Sequence, residues 1–338
     1  MTNVLVTGGA GFLGARLARQ LLSAGPMPVA GGGEQPVAQV TLVDRVSPPP
    51  DLAGDDRVTV LRGDLGELLG TGGDARDALA GADVIFHLAA AVSAECEADF
   101  DLGVRANLCA TQSLLASCRA LQTNPVVVFA SSLAVFGASR EHPLPAVVDD
   151  QTMSNPQSSY GVQKVIAEQL LADYTRKGFL RGRAIRLMTV SVRPGRPNAA
   201  ASGFLSGIIR EPLAGQRALC PVSPRTEVAL ASPVKATGGL LCAAGSSDQA
   251  WGGRSAVNLP ALTVSVADMA AALERVAGPA ASALIDWVPD PAVARLVTSW
   301  PARIRAGRAT RLGLAPDPDF GSIIEMYLAE TRPPAGGG

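Results

Sequence analysis

The chain has 338 residues, with 29 Lys and Arg set against 30 Asp and Glu, a formal net charge of −1. Both signs are mixed along its length, which argues against a surface built for nucleic acid or for an acidic membrane. With 47% hydrophobic and 17% charged residues, it is expected to bury a large core rather than to remain disordered.

The first half alternates short β-branched runs with helical stretches. Val4–Thr7 reads as a strand and Gly11–Ala24 as a helix. A Gly/Pro-rich loop (Gly25–Pro36) leads to a strand at Gln39–Val43. Further strands are expected at Val58–Leu61, Val84–Leu88, Val126–Ala130 and Ala184–Val190, and long helices at Asp101–Leu121 and Pro156–Arg176. This spacing predicts an α/β fold with a parallel sheet covered on both faces. After about residue 191 the alternation weakens and Pro and Gly become frequent. Helical patterns at Val266–Val276, Pro291–Ser299 and Phe320–Glu330 predict a smaller, irregular C-terminal lobe. The expected division is 1–190 for nucleotide binding and catalysis, 191–331 mainly for substrate, and 332–338 as a frayed tail.

Cys96, Cys109, Cys118, Cys220 and Cys242 are scattered, with no CxxC pair, so reduced thiols are expected and neither a disulfide framework nor a metal site. The N-terminus opens directly into a strand, and no apolar run is long enough to span a bilayer. A cytoplasmic protein without a membrane or nucleic-acid partner is the expectation.

Two constellations carry chemistry. Thr7-Gly8-Gly9-Ala10-Gly11-Phe12-Leu13-Gly14 joins the first strand to the first helix, with glycines spaced GxxGxxG. A tight turn there lets backbone N–H groups and the helix N-terminus meet a pyrophosphate. The second strand ends at Asp44, whose carboxylate can accept both ribose hydroxyls and repels a 2′-phosphate, which favours NAD over NADP. Asp64-Leu65 follows the third strand as an adenine-edge contact. His87-Leu88-Ala89-Ala90-Ala91 follows the fourth, where small side chains let a cofactor pass. His87 itself reads as part of the loop structure, and His142 as exposed.

The second constellation is Ser132, in Ser131-Ser132-Leu133-Ala134-Val135-Phe136-Gly137, together with Tyr160 and Lys164. Positions i and i+4 share a helix face, so Lys164 lies one turn from Tyr160. Oxidising an alcohol requires a base for the O–H proton, and a free phenol, with pKa about 10, is a poor one. A neighbouring ammonium is expected to bring it toward the working range, while Ser132 orients the hydroxyl.

The segments TGGAGFLG, HLAA, SSLAVFG and YGVQK, with Asn107 between them, resemble the extended short-chain dehydrogenase/reductase family, which includes NAD-dependent epimerases and dehydratases. The resemblance implies a Rossmann-type doubly wound parallel sheet with a smaller α/β substrate lobe. It also implies NAD as cofactor, with Leu187 and Val190 beside it. Ser132, Tyr160 and Lys164 are then the catalytic set, with Lys164 also on the nicotinamide ribose and Asn107 in the active-site relay. A homodimer through a four-helix bundle of the two long helices follows from the same resemblance.

A narrower resemblance covers nearly the whole chain. EADFDLGVRANL, SSYGVQKVIAEQLLADYTRKGF, RLMTVSVRPGRPNAAASGFLSGIIREPLAG and Ser299-Trp300-Pro301 are similar to the D-erythronate dehydrogenases, which oxidise a four-carbon sugar acid at C2 with NAD. Phe136 departs from the Tyr usual in the wider family, while within the narrower resemblance Met188 replaces the expected Pro and Ser191 and Arg196 are milder departures.

Independently of that family, Arg225–Pro233 lacks the aromatics and final acid of nucleotide-sugar enzymes, and aromatic residues make up only 4% of the chain. A small substrate fits better. Its carboxylate needs a cationic anchor, with Arg193, Arg196 and Arg210 as candidates. Ser93, Thr189 and Asn198 are available to hydroxyls. Two other functions share these motifs: a nucleotide-sugar epimerase or dehydratase that retains its NAD, and a non-enzymatic NAD-binding regulator.

Overall fold

Seven parallel strands make the central sheet of the computed structural model, which describes residues 1–70, 73–195 and 202–331. They are β1 (Thr2–Thr7), β2 (Val37–Asp44), β3 (Val58–Arg62), β4 (Val84–His87), β5 (Val126–Ser132), β6 (Arg181–Leu187) and the short strand Val257–Asn258. Across the sheet the order runs Val257–Asn258, β6, β5, β4, β1, β2, β3. The winding direction reverses between β1 and β4, so the loops leaving those two strands diverge and open a crevice at their C-terminal ends.

Both faces of this sheet are covered, which is why its strands read as near-continuous apolar runs. Val4 and Val6 enter one core with Leu17, Leu21 and Leu240, whereas Leu5 enters the other with Leu114, Phe129 and Leu171. Burying each such side chain stabilises the fold by roughly 1.5–3 kcal/mol. Three helices matter for the site: α1 (Phe12–Ser23), α2 (Ala110–Leu121) and α3 (Ser159–Arg176). Ser158 caps α3, its Oγ accepting the Gly161 N–H at 3.1 Å.

Two expected elements differ. The helix expected over 101–121 is a short helix (Phe100–Gly103), one wide π-helical turn (Val104–Cys109) and then α2. The wide turn falls where Asn107 is drawn into the interior, a setting typical of such turns. The strand expected over 184–190 splits at Met188. β6 stays in the main sheet, and Thr189–Val190 joins Glu227–Ala231 and Leu262–Ser265 in a three-stranded sheet. A single apolar run thus serves two sheets, and neither periodicity nor composition marks the break.

The second lobe has its own core, with Leu205, Ile208, Leu230, Met269, Leu273, Phe320 and Ile324. The chain beyond residue 191 also returns to the first layer. Pro233–Gly245 packs Leu240 and Ala243 against the sheet, and Val257–Asn258 extends it beside β6. Trp300 touches the core of both layers. Among the described residues no helix is long and apolar enough to cross a membrane.

Candidate active site

Two cavities of about 350 and 250 Å³ lie in the crevice and share Gly8, Gly11, Leu88 and Ala90 as walls. The turn between β1 and α1 forms their floor. Gly8 takes a left-handed φ of +72°, and a Cβ on Gly14 would stand 2.1 Å from the Gly8 carbonyl oxygen. Only glycine permits this turn. Helix α1 starts at Gly11 with no side-chain cap, so its first N–H groups are left to whatever enters the crevice. Asp44 stands at the far end, its Oδ2 accepting the Ala10 N–H at 2.9 Å, which ties β2 to the glycine turn.

Asp44, Asp64, Leu65, Leu88, Ala89 and Ala90 line the larger cavity, joined by Arg45, Glu95 and Ala106. Asp64 also caps a turn, its Oδ1 accepting the Gly66 N–H. Phe12, Leu13, Gly14, Leu187 and Val190 line the smaller one, together with Ser132, Tyr160 and Lys164. The wall therefore has a carboxylate at one end, an uncapped helix start in the middle and apolar side chains around Ser132, Tyr160 and Lys164.

Gly161 explains how Tyr160 reaches the end of β5. A Cβ there would stand 2.2 Å from the Ala134 carbonyl oxygen, so glycine lets α3 press onto the Ser132–Val135 turn. Ser132 hydrogen-bonds the Tyr160 phenol, and its Oγ also accepts the Ala134 N–H at 3.1 Å. Lys164 is buried, donates from Nζ to the Ala130 carbonyl at 2.8 Å and lies 5.5 Å from the Tyr160 ring centroid.

The expected lowering of the phenol pKa by Lys164 is not what this geometry gives. Burial pushes Tyr160 up to about 12, opposed by the Ser132 hydrogen bond and by the cationic Arg193. Burial likewise pulls Lys164 down to about 8, with Cys96 and Glu168 opposing. The Arg193 charge thus favours the phenolate here, and Lys164, Tyr160 and Arg193 line the same cavity.

A third pocket, of about 90 Å³, opens beside Tyr160 and is lined by Ser93, Ser132, Thr189, Arg193, Met188, Ser202 and Trp300, among others. Burial pulls the Arg193 guanidinium below its ordinary pKa. Its Nε donates to the Val190 carbonyl at 3.0 Å, which aims the side chain at the pocket. Arg210 does not line the pocket. It is buried behind Arg193, donating Nη1 to the Arg193 carbonyl at 2.8 Å and pairing with Glu211. Arg196, Asn198 and the tail from 332 lie outside the described residues.

Asn107 is buried between the two long helical stretches. Its Oδ1 accepts the Ala91 N–H at 2.8 Å, and its Nδ2 donates to Gln163 Oε1 at 2.7 Å and to the Ala91 carbonyl at 3.2 Å. Phe136 is fully buried under the Arg186 guanidinium, 4.8 Å from its ring centroid.

Sequence reasoning singled out Met188 and Trp300 only as parts of resembling segments, and it did not place them or Ser202 in the pocket. It also missed a buried network behind the site. Arg186 pairs with Glu168 at 2.7 Å, and Ser131 Oγ donates to Glu168 Oε1 at 2.5 Å. Glu168 lies four residues beyond Lys164, so the shared helix face was the available signal.

The chain belongs to the NAD dependent epimerase/dehydratase family, whose model matches residues 4–229. The D-erythronate dehydrogenase of Cupriavidus necator is 49% identical over 330 residues, covering 97% of this chain and 98% of that protein. The D-erythronate dehydrogenase of Haemophilus influenzae is 38% identical, with 96% and 98% covered. A solved structure described as a nucleoside-diphosphate-sugar epimerase from Agrobacterium tumefaciens superposes with a TM-score of 0.87 at 39% identity, covering 98% of this chain and 94% of that one.

Proposed function

We propose that the chain is an NAD-dependent dehydrogenase that oxidises D-erythronate, or a close 2-hydroxy sugar acid, at C2 to the 2-oxo acid. The observation that carries this reading is the small pocket in which a half-buried arginine faces the Ser132/Tyr160 pair. Two full-length relatives named for that activity support it.

Asp44 would accept the adenosine ribose hydroxyls. The glycine turn and the start of α1 would hold the pyrophosphate, and Lys164 the nicotinamide ribose. When bound there, NAD supplies the hydride acceptor. Arg193 binds the substrate carboxylate through charge-assisted hydrogen bonds, and Ser93 and Thr189 meet the hydroxyls. Ser132 donates to the C2 oxygen and fixes its angle. Tyr160 Oη takes the hydroxyl proton as the C2–H bond breaks, and Arg193 stabilises the phenolate that does so.

A pocket of about 90 Å³ has no room for a nucleotide sugar, and Glu227, at the position where such enzymes carry their base-stacking segment, is instead ion-paired with Arg303. We further infer a homodimer through the long helical stretches. Phe100 is 64%, Val162 42% and Ile166 41% exposed, the last two one turn apart on α3. Free cysteines suit a cytoplasmic protein.

The test is NADH absorbance on mixing protein, NAD and a panel of tetronates and larger aldonates. A signal strongest with D-erythronate is expected, and Tyr160→Phe should reduce it by about 10²- to 10⁴-fold. A flat trace with every acid, alongside turnover of a UDP-sugar, would replace this reading with an epimerase.

A further inference from the structure

His87 is buried at the end of β4, in the interior beneath the cofactor crevice, and the proposed mechanism leaves it without a role. Both of its ring nitrogens are engaged. Nδ1 lies 2.7 Å from Thr7 Oγ1, and Nε2 lies 2.8 Å from Thr111 Oγ1. Thr7 Oγ1 also accepts the Ala89 N–H at 3.2 Å, and Thr111 Oγ1 lies 2.6 Å from the Asn107 carbonyl oxygen.

The ends of this chain dictate its direction. A carbonyl only accepts, so the Thr111 hydroxyl proton goes to Asn107. The Thr111 oxygen must then accept from His87, which places the ring proton on Nε2. Nδ1 is left bare and accepts the Thr7 hydroxyl proton. The Thr7 oxygen, its proton spent, accepts from Ala89. Every donor has one acceptor and every link points the same way. Protonated His87 would break the series, because Nδ1–H would face a hydroxyl whose proton then has nowhere to go. Burial opposes that state as well, holding the imidazole down to about 3.

The chain closes on itself. Asn107 grips Ala91 through both its N–H and its carbonyl, so the segment Leu88–Ala91 is anchored at Ala89 by Thr7 and at Ala91 by Asn107. We propose that His87, fixed as the neutral Nε2–H tautomer, is a positioning residue. It is the strut that sets the distance between the glycine-turn strand β1 and helix α2, and so the shape of the Leu88–Ala91 wall. The link to catalysis rests on reading that wall as a cofactor contact; the tautomer does not.

Nitrogen-15 spectra of the histidines in the full chain, without cofactor or substrate, test the tautomer. His87 is expected to show a pyrrole-type Nε2 and a pyridine-type Nδ1, unchanged from pH 8 to pH 5. A proton on Nδ1, or a midpoint for His87 between 5 and 8, overturns the proposal. The second arm uses Thr111→Val, which keeps the shape and removes the hydroxyl. The Kd for NAD, read by calorimetry, and the KM for NAD are expected to rise about tenfold, with kcat changing less than threefold and Thr111→Ser restoring both values. If Thr111→Val is folded and binds NAD as the parent does, the positioning role fails. If it does not fold, the spectra of the parent protein still decide the tautomer. Failure of D-erythronate turnover with the tautomer and NAD binding as expected would overturn the function and leave this inference standing.

Discussion

Arg193 is the residue on which the substrate assignment turns. It faces a phenol in a pocket sized for a small acid, and Arg210 holds its backbone in place. Truncating one partner of a hydrogen-bonded charge pair that is shielded from water typically costs about 2–5 kcal/mol of binding. Arg193→Met is therefore expected to raise the KM for D-erythronate by about 10² or more. Arg193→Lys should recover little, since an ammonium cannot reproduce a two-pronged grip on a carboxylate. An unchanged KM in both would move the anchor elsewhere. Trp300 governs length. Packed against both cores and lining the pocket, its indole takes up space that a longer acid would need. Trp300→Ala is expected to raise kcat/KM for five- and six-carbon aldonates relative to D-erythronate by about tenfold, measured as a ratio on the same preparation.

The protonation of single groups also sets pH dependence. His87 sits near 3 in the folded chain against an ordinary 6.5, because burial opposes its charge. The unfolded chain therefore binds a proton that the folded one does not between those values, so stability falls as pH drops through 6.5. The slope from this group approaches about 1.4 kcal/mol per pH unit. Urea unfolding at pH 7, 6 and 5 should show the midpoint falling at each step. Oxidation should conversely gain with alkalinity, since burial holds the Tyr160 phenol protonated at neutral pH. A kcat that is flat from pH 7 to 9 would count against Tyr160 as the base.

At the scale of elements, α3 is held to the sheet by its polar face as well as by packing. Lys164 reaches the Ala130 carbonyl, and Glu168 bridges Ser131 on β5 to Arg186 on β6. Breaking one partner of a buried ion pair typically costs about 3–5 kcal/mol because the other charge is left uncompensated. Glu168→Gln keeps the shape and is expected to lower the thermal midpoint by several degrees, read by circular dichroism. It should also lower kcat, because Ser131 adjoins Ser132. An unchanged midpoint would mean that the pair contributes packing only. The placement of Tyr160 and Lys164 one turn apart on α3 was visible in the sequence. The Glu168–Arg186 pairing was not, because the two residues lie on different elements whose register only the sheet defines.

For the molecule as a whole, the exposed apolar side chains Phe100, Val162 and Ile166 are the surface on which the proposed dimer rests. Light scattering is expected to give a dimer mass at micromolar concentration, and Ile166→Asp to give a monomer that still binds NAD, since that residue lies outside the cavities. A parent protein that stays monomeric would remove the four-helix-bundle assembly.

The Gly8/Gly11/Gly14 turn, the Asp44 strand end and the Ser132, Tyr160 and Lys164 set were legible because local constraints demand them. A left-handed turn needs glycine, and i, i+4 neighbours share a face. So did the parallel sheet, because strands buried on both faces must be apolar throughout. The break at Met188, the return of Val257–Asn258 to the sheet and the wide turn at Asn107 were decided by tertiary packing, which recruits segments from distant positions without changing their local pattern. The same holds for the choice among the arginines. Three lay within eighteen residues of one another in sequence, and only the folding of the second lobe onto the first brought Arg193 to the phenol and set Arg210 behind it.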